Sequence, residues 1–220
     1  MSTRSLIALK KDDGTFEAVY CHWDGDLAWN GRLLLENYKT YEIVEKLISL
    51  GEISSLGTNP YIEIGESKNK NGFNECVTDY HRLNNDIIKI FKFKTFKELD
   101  LFFKRNFGLE YMYYFAKGKN GEYSWKYKQN VYMKKNNYYD GYICSYEYYD
   151  RITKLRVLNQ YEIQIEELAG NIYSSKFYSH LLNDVLKIVT CNQLKKAREI
   201  DENVCRHATI EYLRGLNLQF

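Results

Sequence analysis

Proline is almost missing: Pro60 is the only one in 220 residues. That excludes a proline-rich linker or a polyproline recognition arm. Cysteine is sparse, scattered and odd in number, with Cys21, Cys76, Cys144, Cys191 and Cys205 forming no C-x-x-C pair. A disulfide framework and a zinc ribbon are therefore not expected, and reduced thiols in a cytoplasm are. No apolar run approaches the roughly 18 residues that a membrane span needs, and the N-terminus does not read as a signal peptide. The expectation is a soluble cytoplasmic protein that uses no membrane. Excess charge is also lacking, since a net charge of +2 is too small for a bulk nucleic-acid binder. P-loop, G-x-G-x-x-G, HExxH and G-x-S-x-G patterns are all absent.

What is abundant is tyrosine, with 21 residues. Together with frequent Lys, Asn and Ile this fits an AT-rich genome, so codon bias accounts for part of it. The small net charge also hides a strong layout. Residues 12 to 66 hold 11 acidic and 3 basic side chains, while residues 68 to 135 hold 15 basic and 7 acidic. Two such blocks either complement each other within one fold or leave a basic face for RNA, DNA or an acidic protein.

Residues 3 to 38 carry the densest signals. Leu6, Ile7, Ala8 and Leu9 form a short apolar run, which reads as a strand buried on both faces. Asp13-Gly14 breaks it with a hairpin turn. Phe16 to Trp23 is the return strand, with Ala18, Tyr20 and His22 on one face and Val19, Cys21 and Trp23 on the other. Asp24-Gly25 ends that strand, and Gly31 to Tyr38 reads as a helix.

The succession TRSLI, hairpin, YCHWDG, glycine and leucine-rich helix resembles a family of small bacteriophage and prophage proteins. The family pattern of tyrosine, two residues and Trp-Asp-Gly falls here on Tyr20, Trp23, Asp24 and Gly25. Family members continue with Tyr-Pro, where this chain has Asp26-Leu27. The resemblance covers residues 1 to 57, and faintly 96 to 128. It implies a mobile-element origin more than a reaction.

Further along, Thr40 caps a helix that Gly51 stops. Tyr61 to Ile64 reads as a short strand, residues 66 to 72 as a loop and Asp86 to Phe93 as a strand. Thr95 with Glu98 forms a capping box for a helix that Gly108 ends. Leu109 to Ala116 and Glu122 to Lys128 form a second hairpin around Asn120-Gly121. The expected class is α+β, with an antiparallel sheet and helices packed on one side over residues 1 to 135. A mainly helical C-terminal portion follows over residues 136 to 220, with helix stops at Gly170 and Gly215.

Four features invite chemistry. His22, Asp24 and Asp26 bring a nitrogen and two carboxylates to a strand end, a ligand set suited to Mg, Mn or Zn, although one turn alone makes a weak site. Arg4, at the edge of a buried strand, is suited to grip a phosphate or to pair with an internal acid. Ser2 would become an N-terminal nucleophile if Met1 were removed. Cys21 and His22 form no dyad, because neighbours on a strand face opposite ways. His81, His180 and His207 are isolated and read as structural.

The fourth is the aromatic block from Tyr111 to Tyr149, which overlaps the basic segment. Exposed tyrosines give large contact area at low entropic cost, and aromatics between lysines stack on single-stranded bases. The leading expectation is a non-enzymatic accessory protein of a phage or mobile element. It would act by binding a host protein or ribonucleoprotein complex, as an anti-CRISPR-like inhibitor of a defence complex does. Its binding residues would be Tyr113, Lys117, Lys119, Tyr123, Lys126, Tyr127, Tyr138, Tyr139 and Tyr142, with no metal or cofactor required. The alternatives are a small enzyme acting on a nucleotide or phosphate-bearing substrate through Arg4, His22, Asp24 and Asp26, and a single-stranded RNA binder using the basic 68–135 segment.

Overall fold

The structure is a computed structural model that describes residues 3–60, 77–78, 88–106, 108–139, 142–152, 155–174, 210 and 213–219. It is of the α+β class. The chain divides into two compact units, one made of residues 1–129 with 154–160 and the other of residues 130–153 with 161–220.

The first unit is built on strand β1, Arg4–Lys10. The turn at Asp13-Gly14 forms as its residues dictate. Gly14 has φ +86°, and the Asp13 carboxylate accepts from the Thr15 backbone N–H at 2.9 Å. The chain returns as β2, Phe16–Cys21, antiparallel to β1. The other neighbour of β1 is β6, Leu109–Lys117, and this pairing is parallel. The expected purely antiparallel sheet is thus a mixed one, because the helical connection between β2 and β6 brings the chain back in the same sense.

Two short strands share the far edge of β2. They are β3, Ile53–Ser55, and β5, Phe91–Phe93, and β4, Val77–Thr78, pairs with β3. On the opposite side β6 pairs with the start of β7, Tyr123–Tyr139, as the second hairpin, and β9, Arg156–Val157, pairs with β7.

Helices cover both faces of this sheet, not one. A π-helical turn at Leu27–Gly31 runs into α1, Arg32–Asn37, and α2 follows at Tyr41–Ser49. Thr40 caps α2 through the Ile43 N–H, and Gly51, at φ +72°, follows its end. These elements lie on the face of Ile7, Tyr113, Phe115 and Trp125, where the Trp125 indole donates to the Tyr38 carbonyl at 2.7 Å. The other face carries α3, Phe96–Arg105, whose Leu99 and Phe103 pack with Leu6, Ala8, Phe16, Ala18 and Met112. Its capping box forms, with Thr95 Oγ1 accepting from the Glu98 N–H and Glu98 reaching back to the Lys94 N–H. Covering both faces explains why Leu6, Ile7, Ala8 and Leu9 are all fully buried and do not alternate.

In the second unit, residues 130–139 of β7 pair with β8, Tyr142–Ile152, so strand occupies the start of the 136–220 portion expected to be mainly helical. Tyrosine-rich segments favour strand, and here β-propensity prevails over the helical reading. Helix α4, Gln160–Ser174, continues through Gly170, since a glycine inside a helix costs only about 1 kcal/mol against packing such as that of Ile165 and Ala169 with Ile210 and Leu213. Within this unit Arg214 pairs with Glu162, its Nε 2.9 Å from the carboxylate. The last turn runs through Gly215 to Asn217, which takes the left-handed conformation at φ +48°. The expected strand at 61–64, the loop at 66–72, the helical runs between 175 and 209, and Ser2, His81, His180 and His207 lie outside the described residues. Among the described residues no helix is long and apolar enough to cross a membrane.

Candidate functional site

The sheet of the first unit has two ends, and they gather different chemistry. At the turn end lie the β1–β2 turn and the β6–β7 turn. Lys117 and Lys119 are exposed there. Gly121 takes φ +87°, and Asn120 Oδ1 accepts from the Glu122 N–H, so the turn is held by its own residues. Tyr123 stacks on Phe115 at 5.3 Å and lies 5.7 Å from the Tyr41 ring, while Lys117 sits 5.8 Å above the Tyr123 ring. Burial pushes the Tyr123 phenol up, with the Asp12 carboxylate adding to it.

Lys11, on the same end, is pulled down by burial but raised on balance by its bonds to Glu45 and Tyr41. The two charge blocks do complement each other in part: Lys89 pairs with Glu52 at 2.9 Å and Lys92 with Glu17 at 3.1 Å. Lys104 and Lys128 both bind Asp100. Lys117, Lys119 and Lys126 have no carboxylate partner among the described residues.

Of the expected binding residues, Lys117, Lys119 and Tyr123 come together at this end. Lys126 does not join them. It faces the α3 side, 5.9 Å from the Tyr114 ring. Tyr113 and Tyr127 are corrected to core residues. They pair across the hairpin and are 0% and 1% exposed, because α1, α2 and the π-helical turn cover their face. The Tyr113 hydroxyl donates to the Gly25 carbonyl at 2.9 Å. Tyr138, Tyr139 and Tyr142 fall in the second unit, where the backbone places Tyr139 opposite Tyr142 at the close of the β7–β8 pair.

The loop end holds the YCHWDG stretch. Gly25 is required by close approach, since a Cβ there would come within 2.8 Å of the Arg4 carbonyl carbon. Its N–H donates to the Thr3 carbonyl. Asp24 takes φ +56° and is exposed. Asp26 caps the π-helical turn by accepting from the Trp29 N–H at 2.9 Å. His22 Nδ1 is 3.0 Å from the Tyr20 hydroxyl. The supposed metal set therefore separates into a cap, a turn and a phenol partner. Among the described residues no three His, Cys, Asp or Glu side chains converge to hold a metal.

Behind the turn, Asn30 is fully buried and donates to Ser5 Oγ, Cys21 Sγ and the Trp23 carbonyl, which ties β1, β2 and the helical turn together. Trp23, on the strand face shared with the buried Val19 and Cys21, is nevertheless 45% exposed, and Trp29 is 42% exposed. Trp29 carried no periodic signal, because the π-helical turn breaks the 3.6-residue spacing.

Comparison of the chain with protein-family models, with curated proteins and with solved structures finds no match.

Proposed function

We propose that this chain is a non-enzymatic accessory protein of a phage or mobile element that acts by binding. Its target in this reading is a host protein or ribonucleoprotein complex, and its role resembles that of an anti-CRISPR inhibitor of a defence complex. The mobile-element part rests on the TRSLI and YCHWDG resemblance. The binding part rests on one observation: Lys117 and Lys119 are exposed at the turn end without carboxylate partners among the described residues, and Lys117 lies over the Tyr123 ring, which itself meets Tyr41. Charges left unspent by the fold steer association and reject wrong partners, and adjacent aromatics supply contact area.

The test is capture of partners from host lysate by the tagged chain, with and without RNase, using wild type and the Lys117→Glu/Lys119→Glu variant. A stoichiometric partner retained by wild type, resistant to RNase and lost by the variant supports the reading. A partner retained equally by both sinks the role of the turn. A partner lost on RNase treatment shifts the assignment to RNA, with the steep salt dependence that phosphate contacts bring.

A further inference from the structure

Arg4 is a half-buried cation at the loop end that pairs with no carboxylate among the described residues. Its guanidinium packs close to Gly108: a Cβ at that position would stand 2.8 Å from Arg4 Nη1 and displace it. Gly108 takes φ +100°, a conformation that favours glycine. The strand register puts Arg4, Tyr20 and His22 on the same face of the sheet. The Arg4 charge acts directly on the Tyr20 phenol, where it opposes the rise that burial causes.

The 3.0 Å contact between Tyr20 Oη and His22 Nδ1 has a further consequence. If the phenol donates to Nδ1, the imidazole keeps its proton on Nε2. If Nδ1–H donates to the phenol oxygen, the hydroxyl proton is left over. In either tautomer the pair retains a proton for an outside acceptor. Arg4 also hydrogen-bonds the Tyr20 phenol, and the remaining N–H groups of its guanidinium extend this array of donors. Glu52, which also acts on Tyr20, is occupied by Lys89. Asp24 follows Trp23 in the turn and is exposed. The indole of Trp23 stands edge-on to the His22 ring at 4.7 Å and is 45% open to solvent.

We propose that Arg4, Tyr20 and His22 bind the phosphate of a nucleoside monophosphate, with the Trp23 indole as the platform for its base. A tetrahedral oxyanion takes several donors at once, and a guanidinium offers two of them in parallel. A base stacked on an exposed indole adds affinity without requiring sequence readout. This site is independent of the turn-end reading and lies at the opposite end of the same sheet.

The experiment is calorimetric titration of the full chain at fixed ionic strength with inorganic phosphate, with AMP and with adenosine. Wild type binds phosphate and AMP, and AMP binds about tenfold more tightly or better through stacking. Trp23→Ala brings AMP to the level of phosphate and leaves phosphate itself unchanged. Arg4→Gln weakens both by about tenfold or more. Lys117→Glu/Lys119→Glu binds both as wild type does, so this proposal and the turn-end reading fail separately. Absence of phosphate binding up to about 10 mM overturns the proposal, since that is weaker than any site of practical affinity. Equal affinities of wild type and Arg4→Gln overturn it as well. If Arg4→Gln loses its far-ultraviolet circular dichroism, the half-exposed His22→Gln decides instead, with weakened phosphate binding supporting the site and unchanged binding overturning it.

Discussion

The two ends of the central sheet are built from the same strands and are closed in opposite ways. At the loop end, backbone meets backbone. Gly25 touches Arg4 and Ser5, its carbonyl takes the Tyr113 hydroxyl, and Asn30 joins three elements from full burial. At the turn end each hairpin closes on itself, through Asp13 in one and Asn120 in the other, and Lys117 and Lys119 stay in water. A close backbone approach makes a segment intolerant of substitution, whereas a self-contained turn leaves side chains free to vary. The YCHWDG pattern is thus in large part a folding device. Arg4, Tyr20, His22 and Trp23 are the side chains there that the proposed ligand would use.

The sharpest way to break this contrast is at Gly25. Gly25→Ala is expected to lower stability by about 3 kcal/mol, because the colliding atoms belong to backbone and cannot swing aside. Denaturant unfolding checks this, and a loss under about 1 kcal/mol would show that the loop end yields easily. Tyr113→Phe comes next, at about 1–2 kcal/mol, since it takes a donor from a buried carbonyl while keeping the ring.

A pH series sharpens the comparison further. Burial raises the Tyr20 phenol, partly offset by Arg4, and Tyr123 is raised as well. A phenol whose folded value exceeds its unfolded value of about 10 contributes its full stability below pH 10, and that contribution is lost as pH climbs through the folded value. Melting temperature should hold steady up to about pH 10 and fall above it. Tyr20→Phe should remove more of that fall than Tyr123→Phe, because Tyr20 is the more enclosed ring. Equal effects would deny the difference between the ends. Least disturbing is the Lys117→Glu/Lys119→Glu variant, whose unfolding midpoint should match wild type to within about 0.5 kcal/mol, as expected for exposed side chains without ion pairs. A larger loss would mean that the turn end carries structural weight.

Several elements were legible because their causes are local. The Asp13-Gly14 and Asn120-Gly121 turns, the Thr40 cap and the Thr95–Glu98 box each need only a few neighbouring residues, and each forms. The continuous apolar run of β1 correctly signalled burial on both faces. Alternation also assigned Tyr20 and His22 to one face. Alternation says which residues share a face, however, and not what covers that face. Tyr113 and Tyr127 were therefore indistinguishable from surface tyrosines until α1 and α2 lay over them, and Trp23 from a core residue until its turn carried it outward.

By itself, then, the amino-acid pattern determined the α+β class, the hairpins, the caps and the separation of charge into blocks, all through interactions only a few residues long. Tertiary structure alone decided that β1 and β6 run parallel, that helices cover both sheet faces, and that Lys89 and Lys92 are consumed in ion pairs while Lys117 and Lys119 are not. It alone brought Gly108 against Arg4 across 104 residues of chain. The physical reason is the same in each case. Such contacts join segments distant in sequence, and their free energy depends on which surfaces the rest of the fold has already withdrawn from water.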